Sequence, residues 1–462
     1  MEKDGVFHET NRLAPSNRSS RRKEGLIFPD IDGASSRRLL RSSWRGFALA
    51  LALAVESQCA EVPKAPVPKS PFIGVVYRYA DTMLKNGRDK DGIFWSALDR
   101  TTLAPLTNRP AAPEGVRLSD RVGTTNAPLV GSNPYHDENL LRLLSMLSDL
   151  SAKPHYRAAA DVELRWFVEN ARPDSPEQFR PWLLWDRCFE LAPEASKRVL
   201  HRLSQQESAV GMLNLQRAAG FNIRALAAAY ARTNDQQFTR AIAGWLEHDQ
   251  TNALLDFTPS LAIDCEGAAR GLPESLAARL RVAAGQQDRL FCSLPHNVRK
   301  SGGFISALGL HRNPIERHTS LWKTSHDTHT TAQVGMMCVS RYDNTGNVGY
   351  RDLIFSAADA YLGSLPDEAD DAWPGTFGQA ISLQLAAWRH SADWKYMERA
   401  RQLGYVAVEK FWGTNALPKA SFKTDHYETI TGADTLALAL TELHLNILHI
   451  TAVRCPPNTI DR

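Results

Sequence analysis

LQLAAWRHSADWKYMERARQLGYVAVEKFW, residues 383–412, reads as a helix, a short polar turn, an aromatic residue and a second helix rich in small and apolar side chains. Three other stretches read the same way: LLRLLSMLSDLSAKPHYRAAADVELRWFVENAR at 140–172, LAAAYARTNDQQFTRAIAGWLEHD at 226–249 and MMCVSRYDNTGNVGYRDLIFSAADAYLGSL at 336–365. Tyr156, Phe238, Tyr350 and Tyr396 fall at one place in each unit. A helical hairpin cannot bury its apolar face alone, so such units pack on one another and close a ring or stack a solenoid.

Further helices are expected over 72–86, 212–232, 272–290 and 431–450, giving about eleven or twelve in all, with almost no period-two alternation. GRDKDGIFWSALDRTTLAPL, after the first helix, has the turn residues of a small hairpin or long loop. The fold class is therefore all-α, an (α/α) toroid of hairpins, as an incomplete or closed barrel over residues 72–455.

At 462 residues, with 43% apolar and 23% charged side chains, the composition is that of an ordinary globular protein. Residues 1–60 stand apart: ten Lys or Arg and seven Asp or Glu lead into the apolar run GFALALALAV at 46–55. A basic region, a short apolar core and small residues after it describe a secretory leader, and the run is about half the length of a membrane span. Arg37 and Arg38 make a partial twin-arginine signal. Export to the periplasm or the extracellular space is expected, with a Pro-rich linker over 61–71 and no stable membrane span. Beyond residue 60 the chain carries 44 basic and 44 acidic residues. That neutrality argues against nucleic acid as a partner, which would call for a basic excess. Cysteines at 188, 265, 292, 338 and 455 lack CxxC spacing and indicate neither zinc nor a disulfide framework.

In each hairpin the internal turn is short and the segment leading to the next hairpin is long. In a closed ring the long connections gather on one face and surround its mouth. They hold NPYHDEN at 133–139, WKTSHDTHTT at 322–331, DAWPGTFGQA at 371–380 and DHYETITGAD at 425–434. His326, Asp327 and His329, beside Arg317 and Trp322, are the densest cluster, and imidazole near a carboxylate suits proton transfer. Helix capping by Asp327, Thr328 or Thr330 is the competing account. HDTH is not HExxH, so no metal is expected there. His136 and Asp137 form a second cluster, where capping alone accounts for Asp137. Tyr427, beside His426, is a candidate to move a proton at carbon. Trp182, Trp185, Asp186, Trp373 and Gln379 combine aromatic faces for sugar rings with polar groups for hydroxyls, and core packing competes for the tryptophans. No GxSxG, P-loop or GxGxxG followed by an acid is found.

The hairpins with aromatic-led second helices, and the polar loops at the ring mouth, resemble the α/α-toroid carbohydrate-active enzymes, a group that includes pectate and other polyuronate lyases and six-hairpin glycosidases. The likeness spans roughly residues 72–450 and is architectural. It implies an exported polysaccharide-active enzyme with a glycan groove across the mouth. A polyuronate lyase acting by β-elimination is the first expectation, with His326, His329 or Tyr427 moving the proton and Arg317 or Arg312 neutralising the carboxylate. A glycosidase on the same toroid would use Asp137 with Asp327 or Asp186, and a non-catalytic glycan-binding or scaffold toroid is the alternative from another class. A polysaccharide or oligosaccharide is the expected partner. No cofactor is indicated, with Ca²⁺ left open.

Overall fold

The computed structural model describes residues 70–456 apart from 123–127, 172–182, 211–219, 250–256, 309–315, 325–327, 368 and 454. The leader expected over 1–60 lies outside the described residues, as do His326, Asp327, Trp182 and Arg312. Fifteen α-helices are described, more than the sequence pattern suggests; the four additional ones are Trp185–Leu191, Pro193–Val210, Ser260–Ala269 and Val298–Ser301.

Seven of these helices form an inner ring and seven an outer one. The inner set is α2 (Pro134–Ser151), α4 (Trp185–Leu191), α6 (Gly220–Thr233), α8 (Ser260–Ala269), α11 (Thr331–Thr345), α13 (Pro374–Ser391) and α15 (Ala433–Ile447). The outer set is α1 (Phe72–Asn86), α3 (His155–Asn170), α5 (Pro193–Val210), α7 (Gln236–Asp249), α9 (Glu274–Ser293), α12 (Val348–Tyr361) and α14 (Trp394–Ala407). The remaining helix, α10 (Val298–Ser301), is a single turn. Each inner helix packs on the outer helix that follows it, and α15 packs on α1, so the last helix completes the first hairpin. Inner neighbours touch in the order α15, α2, α4, α6, α8, α11, α13 and back to α15; the link from α2 to α4 is Glu138 Oε2, which accepts the Leu183 N–H at 3.3 Å. The toroid is therefore closed, from seven helix pairs. The inner helices α11, α13 and α15 are buried nearly all round over their first turns, as helices walled by other helices must be. Thr376 to Ala387 of α13 are buried without a break.

Four of the hairpin turns share one device. A residue in the left-handed region ends the first helix: Ala152 (φ 56°), Asn234 (φ 54°), Gly346 (φ 67°) and Ala392 (φ 56°). An Asx side chain then caps the second helix in three of the four. Asp235 accepts the Gln237 N–H at 3.0 Å, Asn347 the Gly349 N–H at 3.0 Å and Asp393 the Lys395 N–H at 3.1 Å.

The aromatic at the start of each outer helix is buried, and in three cases its hydroxyl donates to an aspartate on the preceding outer helix. Tyr156 reaches Asp81 of α1 at 2.6 Å, Tyr350 reaches Asp288 of α9 at 2.7 Å and Tyr396 reaches Asp359 of α12 at 2.9 Å. Phe238 has no hydroxyl, and the ring of His201 from α5 packs on it at 4.8 Å instead. The outer girdle is thus clasped hairpin to hairpin. Two short sheets complete the fold: β1 (Ala97–Leu98) pairs antiparallel with β4 (Tyr427–Glu428), and β2 (Ile305–Leu308) with β3 (Glu316–His318). Among the described residues, no helix is long and apolar enough to cross a membrane.

Tyr350→Phe removes one clasp while Asp288 keeps its paired bonds to Arg341 at 2.9 and 2.5 Å. A hydrogen bond to a charged acceptor contributes about 1.5–3 kcal/mol, and the variant is expected to lose that much in urea unfolding. An unchanged midpoint would show that the clasp carries no stability.

Candidate functional site

The starts of α11, α13 and α15 meet at one recess on the long-connection face. It is lined by Thr324, Gln333, Trp373, Gly375, Thr376, Gln379, Ile430, Thr431, Gly432 and Thr435, is open to solvent, and has a cavity volume of about 30 Å³. Its side chains are amides and hydroxyls around one indole.

Each polar wall residue except one has a partner within the protein. Gln333 belongs to a capping box: its Oε1 accepts the Thr330 N–H at 2.7 Å, and its own N–H donates to Thr330 Oγ1 at 3.2 Å. Thr376 Oγ1 donates to the Trp373 carbonyl at 2.8 Å, Thr431 Oγ1 to the Glu428 carbonyl at 2.9 Å, and Thr435 Oγ1 accepts from Asn139 Nδ2 at 2.8 Å. Gln379 differs: it is 4% exposed, and its Oε1 has no hydrogen-bond partner among the described residues. Neither α13 nor α15 has a side-chain cap, because Trp373 and Gly432 occupy the N-cap positions.

Trp373 is half-buried and fixed from its rim side. Its Nε1 donates to the Glu114 carbonyl at 3.1 Å, while Asp371 accepts the N–H groups of Glu114 and Lys423, each at 2.9 Å. The acidic Asp371 before Trp373 therefore ties two neighbouring segments together. Asp370 extends the tie through Lys323 at 2.9 Å.

Behind the recess lies a buried acidic layer. Asp137, in the first turn of α2, and Asp434, in the first turn of α15, are wholly buried where they complement their helix dipoles, and Glu138, next to Asp137, is wholly buried as well. Asp137 Oδ2 accepts from the Asn133 N–H at 3.2 Å and from the Ser132 hydroxyl, and Asp434 Oδ2 accepts the Leu140 N–H at 2.9 Å. Glu163 of α3, also wholly buried, takes the Phe94 N–H at 2.7 Å. Desolvation and then the nearby Asp137 push its carboxyl well above the usual range.

A second buried cluster fixes the chain entering α15. Arg121 grips Glu428 with two bonds of 2.6 and 2.7 Å, and His426 Nε2 lies 2.7 Å from Glu428 Oε2. Burial would raise the Glu428 carboxyl, but the bonds from His426 and Arg121 outweigh it and hold it below its ordinary value.

Of the residues singled out in the sequence, Trp373 and Gln379 line the recess. His329 is half-buried, one residue before the N-cap of α11. His136 is buried in the first turn of α2, with Asn139 of that helix bonded to Thr435. Others lie elsewhere. Tyr427 is in the core: β1–β4 pairing draws it under the mouth, where its hydroxyl lies 3.1 Å from that of Tyr79 and desolvation keeps it protonated. Arg317 is exposed on the β2–β3 hairpin. Asp186 points outward to Arg232 at 3.1 Å. Trp185 is buried at 2% exposure, and Trp322 packs on Tyr361 and Phe377 while its Nε1 donates to Ser364 at 2.9 Å. Trp322 also borders a more open cavity of about 280 Å³ with Thr319, Lys323 and Asp370.

No protein-family model matches the chain, and no curated protein matches it. Solved structures similar to it include an α-1,6-mannanase from Salegentibacter sp., 11% identical over 81% of this chain and 99% of that one, with a TM-score of 0.44. An unsaturated glucuronyl hydrolase specific for heparin is 10% identical over 83% of this chain and 99% of that one, with a TM-score of 0.45. A polysaccharide lyase is 12% identical over 81% of this chain and 53% of that one, with a TM-score of 0.42. Likeness at this level says nothing about which residues react.

Arg121→Gln leaves Glu428 buried with half its partners, and a cost of about 3–5 kcal/mol is expected. Because the folded Glu428 carboxyl lies below its unfolded value, its contribution is complete above about pH 4.5 and is lost as pH falls through the folded value. Acid unfolding of the variant should therefore be shallower. Equal pH slopes in the two proteins would contradict this assignment.

Proposed function

We propose that this chain is a carbohydrate-active enzyme that binds a glycan across the mouth of the toroid and cleaves it by β-elimination next to a uronic acid. The observation that carries the reading is the recess in which Trp373 stands beside the unpartnered amide of Gln379. An indole face covers the apolar face of a sugar ring, and amides and hydroxyls bond its hydroxyl groups.

In the elimination, a neutral imidazole removes the proton from C5, the C5–H electron pair becomes the C4–C5 double bond, and the C4–O bond breaks. The departing oxygen takes up a proton. His329, with His326 from the same connection, supplies the imidazole. Two observations favour this over hydrolysis by a carboxylate pair. Asp137 is wholly buried and holds Ser132 and Asn133, and Asp186 is paired with Arg232 on the outside. Export through residues 1–60 belongs to the same proposal and suits a polymeric substrate.

Incubation with polygalacturonate, alginate and glycosaminoglycans should yield the ultraviolet absorbance of an unsaturated product on at least one polymer. Trp373→Ala should lower kcat/KM about tenfold or more, the scale of one lost aromatic contact. New reducing ends without that absorbance would replace elimination by hydrolysis. Retained binding with no product on any polymer would leave a glycan-binding scaffold.

A further inference from the structure

Gln379 is the one polar residue of the recess whose side chain has no partner among the described residues, although it is 96% removed from solvent. A buried amide without partners carries a desolvation cost that a ligand can relieve. It offers a donor and an acceptor at once, which matches a hydroxyl or an amide.

The charges around the recess point the same way. The N-terminus of α13 is uncapped, whereas at α15 the Thr435 N–H is taken by Asp434 Oδ1 at 2.8 Å, and Asp137 lies buried in the first turn of α2. A carboxylate placed in the recess would face this acidic layer and the acceptor oxygen of Gln379. An uncharged group that both donates and accepts satisfies the amide and the α13 N–H groups together. Trp373, held by the Glu114 carbonyl, supplies the platform for the ring that carries it.

We infer that the mouth at this recess is a subsite for an uncharged sugar residue, a hexose or an N-acylhexosamine, stacked over it on Trp373 with one hydroxyl or acylamino group entering the cavity to meet Gln379. This rests on reading the mouth as a glycan site, and it deepens that reading. If elimination takes place at a uronate, the substrate contains uncharged and acidic residues together.

The test is calorimetric titration of the full chain with cellotriose, mannotriose and chitotriose on one side and trigalacturonate and triglucuronate on the other, for the wild type, Gln379→Leu and Gln379→Asn. Leucine keeps the volume and removes the amide, whereas asparagine keeps the amide and withdraws it from the recess. The wild type is expected to bind at least one uncharged trisaccharide more tightly than either acidic one, and both variants to lose tenfold or more of that affinity with unchanged circular dichroism. Tighter binding of the acidic trisaccharides, lost in Gln379→Leu, would overturn the inference and leave the glycan site standing. Binding of an uncharged sugar that neither variant weakens would also overturn it. Absence of binding to every sugar would overturn both.

Discussion

The inner ring closes where α13 and α15 come closer than any side chain would permit. A Cβ on Gly378 would lie 2.8 Å from the Thr435 carbonyl, and one on Gly375 would lie 2.9 Å from the Thr431 carbonyl and 3.2 Å from Gly432. Gly432 itself has φ 78°, a conformation open to glycine at little cost. Three glycines therefore allow two backbones to meet at the mouth. Their meeting sets two uncapped helix starts side by side and leaves a recess lined by short polar side chains. A larger residue at Gly378 would force the helices apart, and backbone atoms cannot yield as a flexible side chain can. The recess is in this sense a product of close packing.

The outer ring works by another principle. Its helices are tied through polar clasps from a tyrosine at the start of one helix to an aspartate within its predecessor, and Arg341 adds a buried pair with Asp288. The clasps hold the short-turn face, where the Asx caps and left-handed residues also lie. Asx side chains cap α7, α12 and α14 there, and at the mouth Asn133 caps α2 and Thr330 caps α11, whereas α13 and α15 start without a side-chain cap.

The hairpins were legible because everything that defines them is local. Helical periodicity, an Asn or Asp at the turn and an aromatic two or three residues later all fall within about thirty residues. The short helix Trp185–Leu191 escaped because seven residues give too little periodicity. Trp373 and Gln379 could be read from their place at the start of a helix after a long connection. Tyr427 could not: its burial is set by pairing with Leu98, more than three hundred residues earlier, and nothing near it announces that contact. The same holds for Glu163 and for Arg121 with Glu428, whose partners come from distant segments. Arg317 looked like part of the histidine cluster by proximity in sequence, but the β2–β3 hairpin carries it onto an exposed strand.

The most direct test of the mouth as the working end is a crystal structure of the full chain with a bound oligosaccharide. The account predicts a sugar ring stacked on Trp373, with a hydroxyl or amide group in hydrogen-bond reach of Gln379. A sugar bound instead at the short turns, beside Asn234, Gly346 or Ala392, would contradict it.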